Sequence, residues 1–132
     1  MISDCITVLN YLARRGTAES DAKKGKYGIE LGLDPSSPEG LAYLADVNKA
    51  DQVLAAFLRT LSDDTLQRLQ ALMYSGRQGD TSAPANKAEF LARNQTKEEI
   101  VRTICEKRPA LDAYFTTALQ RAKAEGFDIE NF

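Results

Sequence analysis

Apolar residues recur every three to four positions along almost the whole chain, and almost nowhere every second one. This spacing constrains the fold more than any other feature. It gathers side chains onto single faces of helices and leaves almost no segment with the in-and-out alternation of a strand. The first such face is Cys5, Ile6, Val8, Leu9 and Leu12. Ser3 can cap this helix, Arg14 and Arg15 suit its negative end, and Gly16 offers a left-handed stop.

Residues 17–36 break the pattern. Gly25, Gly28 and Gly32 lie among Lys23, Lys24, Lys26 and Asp34-Pro35. Each glycine costs a helix about 1 kcal/mol, so the segment is predicted to be a long Gly/Lys-rich loop. It admits one short extended piece from Tyr27. Ser37-Pro38 then opens a helix. At about 100° per residue, Leu41, Leu44 and Ala45 face one way, while Val47, Ala50, Leu54, Phe57, Leu58 and Leu61 face nearly the other. A break near Asn48 reconciles them, giving helices over 38–46 and 49–61.

Ser62-Asp63-Asp64 starts the next helix, with Leu66, Leu69, Leu72 and Met73 on its face and Gly76 as its stop. Residues 76–85 form a polar loop. A short helix is predicted from Asn86, with Glu89 closing a capping box. Thr96-Lys-Glu-Glu is a stronger box, opening a helix that turns Ile100, Val101, Ile104 and Cys105 inward. Pro109 ends that helix or starts the last one, which carries Leu111, Tyr114, Phe115, Ala118, Leu119 and Ala122 and stops at Gly126. The apolar tail of Phe127, Ile129 and Phe132 is expected to dock on the bundle, or else to be a partner-binding peptide.

The expected fold is therefore all-α: a single domain over 1–132, with about six or seven short helices. Its expected core is Ile6, Leu9, Leu12, Leu44, Leu54, Phe57, Leu58, Leu66, Leu69, Met73, Ile100, Ile104, Leu111, Tyr114, Phe115 and Leu119. A chain of 132 residues that is 43% hydrophobic can bury such a core without staples. No run reaches the ~18 apolar residues of a membrane span, and Asp4 interrupts any leader-like start, so a cytoplasmic protein away from membranes is expected. Cys5 and Cys105 are expected as reduced residues of the packed faces.

There is no histidine in the sequence. That removes histidine-based triads, histidine metal ligands and imidazole acid–base chemistry. The carboxylate pairs 63/64 and 98/99 sit where helix dipoles favour acids. Lys-Gly-Lys-Tyr-Gly lacks the Gly-Lys-Ser/Thr end of a phosphate loop. The reading is no enzyme, with no catalytic residue, cofactor or metal.

Two binding functions compete. Thr96 to Phe115 looks like a helix-turn-helix, and residues 86–123 carry eight Lys/Arg against five acids. A DNA-binding regulator built on 96–123 would use Arg102, Lys107 and Arg108. The overall charge of −2 gives no general phosphate-binding field, and Asp112 and Ala113 are poor readers of bases. The favoured alternative is a protein-binding module of inhibitor, immunity or adaptor type. Its candidate contacts are Lys23, Lys24, Lys26 and Tyr27 in the glycine-rich segment, and Arg77 and Asp80 in the polar loop.

The stretch Leu69 to Asp80 (Leu-Gln-Ala-Leu-Met-Tyr-Ser-Gly-Arg-Gln-Gly-Asp) resembles a bacterial helical domain family of unknown function. Members carry an Ala-Leu-x-aromatic-x-Gly-Arg-Gly-Asp run, which Ala71, Leu72, Tyr74, Gly76, Arg77 and Asp80 match in kind around an inserted Gln78. Lys107 to Phe115 resembles the proline-containing start of that family's last helix. The resemblance spans about residues 57–122 and implies a helical bundle with no assigned activity.

Overall fold

The computed structural model describes residues 1–27, 38–78 and 81–132, without the side chains of 17–27, 39–47 and 78. Its elements are α1 (Ile2–Tyr27), α2 (Pro38–Arg59), α3 (Asp63–Gln78), α4 (Ala83–Ala92), α5 (Lys97–Glu106), a 3₁₀ turn (Arg108–Ala110) and α6 (Leu111–Glu125). The bundle is all-α, and no strand occurs among the described residues.

The centre of the bundle is α3. It packs against α1, α4, α5 and α6, while α2 lies between α1 and α5. Leu66, Leu69, Leu72 and Met73 have no exposed surface, and they meet Leu9, Leu54, Leu58, Ile104, Leu111 and Phe115, equally enclosed. Helix α3 has neighbours on several sides, so it also buries Gln67, Gln70 and Ser75, outside its apolar stripe. Of the expected core, Leu12, Phe57, Tyr114 and Leu119 are only half-buried, and Leu44 lies outside the described side chains.

Two predicted stops are corrected. Helix α1 continues through Gly16 and Gly25 to Tyr27, so 17–27 is helix rather than loop. Residues 28–37, the remainder of that predicted loop, lie outside the described residues. Helix α3 runs past Gly76 to Gln78. Both glycines are points of close approach. A Cβ on Gly16 would lie 2.8 Å from Arg108 Nη1 and 2.9 Å from the Cβ of Ala50. On Gly76 it would lie 1.8 Å from the carbonyl oxygen of Tyr114, so α3 and α6 touch backbone to backbone there. Gly126 is the stop that was expected, left-handed at φ 74°.

The predicted break at Asn48 is absent, and α2 is one helix. Flanked by α1 and α5, it has partners for apolar residues on more than one side. Helix α4 starts three residues earlier than predicted. Ser82 caps it by accepting from the Ala85 N–H, and Pro84 occupies its first turn. Asn86 instead turns inward and donates to the Ala71 carbonyl at 3.3 Å, while Glu89 pairs with Arg93. The caps by Ser62 on α3 and Thr96 on α5 stand as expected.

Helix α1 begins at Ile2, and Ser3 does not cap it. The Glu130 carboxylate does so from the far end of the chain, accepting from the N–H of Ile2 at 2.8 Å and of Ser3 at 3.0 Å. The tail is docked, with Phe127, Ile129 and Phe132 half-buried against the core. Arg14, expected at a helix end, lies mid-helix and forms a bidentate pair with Asp112 of α6 at 2.8 and 2.9 Å.

Candidate functional site

Asn48, Asp51, Gln52, Ala55 and Arg59 recur at helical spacing and form one stripe on α2. Glu98, Val101, Arg102, Cys105 and Glu106 do the same on α5. Where the two helices pack, the stripes face each other across an open groove of about 380 Å³. Small side chains make its floor: Ala55 and Val101 are buried and Cys105 is half-buried. Gln52, Arg59, Glu98, Arg102 and Glu106 stand exposed on its rims.

Arg59 and Glu98 join the rims through a bidentate pair at 3.0 and 3.1 Å. This contact holds the Glu98 carboxyl below the usual glutamate range and raises Arg59 further. Farther along, Asp51 pairs with Arg108 at 3.1 Å. The Arg108 side chain is 7% exposed, so its charge is spent inside the fold.

Cys105 lies on the floor with Sγ donating to the main-chain oxygen of Asp51 at 3.8 Å. Burial, reinforced by the charge of Asp51, pushes its thiol up to about 11. The groove floor thus favours the protonated thiol at neutral pH. Burial likewise raises the thiol of Cys5, and both cysteines are free. No metal-binding group of three or more Cys, Asp or Glu occurs among the described residues.

Only part of the set singled out from sequence falls among the described side chains. Lys23, Lys24, Lys26 and Tyr27 lie on the last turns of α1, with their side chains outside the described set. Asp80 is also outside the described residues. Arg77 is exposed near the end of α3, its guanidinium 5.9 Å from the centroid of the Tyr74 ring. The three proposed DNA contacts separate: Arg102 is exposed on the groove rim, Lys107 is half-buried and Arg108 is buried. Asp112, at the start of the supposed recognition helix, is tied to Arg14, which lowers its carboxyl below the aspartate range.

Of the groove residues, the sequence marks only Arg102 as a candidate contact; Asn48, Glu98, Val101 and Cys105 read there as structural positions. The available signal was a small inward residue flanked by charges three or four positions away, on both helices. Their facing arrangement is a tertiary fact. Neither the protein-family models, nor the curated proteins, nor the solved structures contain a match to this chain. No helix of the described residues is long and apolar enough to cross a membrane.

Proposed function

We propose that this protein acts by binding another protein, as an inhibitor, immunity protein or adaptor would, and that the α2–α5 groove is the contact surface. The observation that carries this reading is the groove's composition. Its floor is small and apolar, and its exposed rims carry both signs, Arg59 paired with Glu98, together with Arg102 and Glu106. A protein surface can match both signs and place a side chain on the floor. A phosphate backbone would meet as many carboxylates as guanidiniums on these rims, which disfavours nucleic acid. The helix-turn-helix alternative draws less support, because Arg108 is paired internally and Asp112 is held by Arg14.

The test places a photo-crosslinking side chain at Gln52 and, separately, at exposed Val8 on α1. In the native host extract, Gln52 should yield a discrete protein adduct that Val8 does not. Arg102→Glu should weaken formation of that adduct about tenfold at low salt, mainly through slower association. The reading fails if Gln52 yields no adduct that Arg102→Glu weakens. Duplex DNA bound with a steep salt dependence would transfer support to the alternative.

A further inference from the structure

The segment 127–132 contains no helix, yet its seat is specific. The Arg68 guanidinium of α3 donates to the main-chain oxygen of Glu130 at 2.6 Å. Lys87 of α4 donates to the main-chain oxygen of Phe132 at 2.9 Å, with its ammonium 5.9 Å from the centroid of that ring. Asp64 pairs with both cations, at 3.0 Å to Arg68 and 3.3 Å to Lys87. The Glu130 carboxylate sits on the first two N–H groups of α1. The rings of Phe127 and Phe132 pack edge to face at 5.4 Å.

None of these polar grips comes from α6, the helix that delivers the segment. They come from α1, α3 and α4; the polar bond to α6, from the Phe127 N–H to the Ala122 carbonyl at 3.3 Å, belongs to the hinge, so the rest of the seat is indifferent to which copy of α6 the segment extends from. One charge match is direct, the Glu130 carboxylate on the α1 N-terminus, while Arg68 and Lys87, both paired with Asp64, hold main-chain oxygens and Asp128 folds back on the segment's own Glu130 N–H and Asn131 amide. The joint is one exposed residue, Gly126, held left-handed at φ 74° with nothing within 4 Å of the position a Cβ would take. Opening it costs the bonds from the Gly126 and Phe127 N–H groups to the Ala122 carbonyl, at 2.9 and 3.3 Å, and moves no side chain at position 126.

We propose that this seat also receives the 127–132 segment of a second copy, so that two chains exchange tails about Gly126. The contacts with α1, α3 and α4 are the same in both arrangements, and what differs is the hinge with its two bonds to the Ala122 carbonyl. Tethering gives a chain's own tail an effective concentration in the millimolar range, so exchange is negligible at micromolar protein and grows toward millimolar. This surface is separate from the groove, and the proposal does not depend on the function assigned above.

The experiment is light scattering over a concentration series. Gly126→Val disfavours the left-handed hinge, and each closed monomer that opens relieves it. The dimer dissociation constant should fall about tenfold or more per hinge. Mixing also tests exchange directly. A Glu130→Lys chain keeps its seat but spoils its tail, while an Arg68→Ala chain does the reverse. Together they should form more dimer than either alone. The proposal is overturned if folded Gly126→Val stays monomeric at every concentration, even with its tail released to protease. It is equally overturned if the dimer persists when Glu130→Lys is added to Gly126→Val.

Discussion

A methyl group added at Gly76 would collide with the Tyr114 carbonyl oxygen, which lies 1.8 Å from the position it must take. Neither side can yield cheaply, because both belong to helix backbones. In an ordinary helix interior, glycine to alanine gains up to about 1 kcal/mol. Here the sign reverses: Gly76→Ala should lose about 3 kcal/mol or more in urea unfolding, through forced separation of α3 and α6. Gly126→Ala meets no neighbour and should lose only about 1 kcal/mol, from its positive φ. A Gly76→Ala chain as stable as the parent would refute the close approach. The sequence showed a glycine after an apolar stripe, which fits a helix stop and a helix contact equally well. Gly16 carries the same ambiguity. Local propensity cannot see the Arg108 and Ala50 atoms that another part of the chain brings against it.

Among the elements, α1 depends on the far end of the chain. Two backbone donors hold the Glu130 carboxyl below its ordinary value. A depressed carboxyl stabilises the fold fully above its unfolded value, and that contribution is lost as pH falls through the folded value. Glu130→Gln should therefore be less stable than the parent at pH 7, and the difference should shrink as the solution is acidified below about pH 4. Paired urea titrations at the two pH values check this. A difference that grows on acidification would rule out the cap. No local rule points from Glu130 to Ile2, because capping signals are read within four residues and this one spans the whole chain. The caps that were legible, Ser62 and Thr96, act on N–H groups three residues away.

At the scale of the whole molecule, α3 is surrounded by four other helices and holds Leu66, Leu69, Leu72 and Met73 without exposed surface. Its amides should open only with global unfolding and exchange slowest in native-state hydrogen exchange. Amides of α4, which packs chiefly on α3 and leaves Leu91 half exposed, should exchange through smaller openings. Equal rates in the two helices would contradict a bundle centred on α3. The sequence by itself determined the all-α class, most of the apolar faces and the caps by Ser62 and Thr96. Those properties follow from a 3.6-residue period and from hydrogen bonds between near neighbours. Tertiary structure alone decided that α1 and α3 run through their glycines, that α2 is unbroken between two partners, and that Arg108 is spent on Asp51. It also decided that two unremarkable stripes become the walls of one groove. Each of these depends on which surfaces meet across distant parts of the chain, and the spacing of residues along one helix does not specify that helix's neighbours.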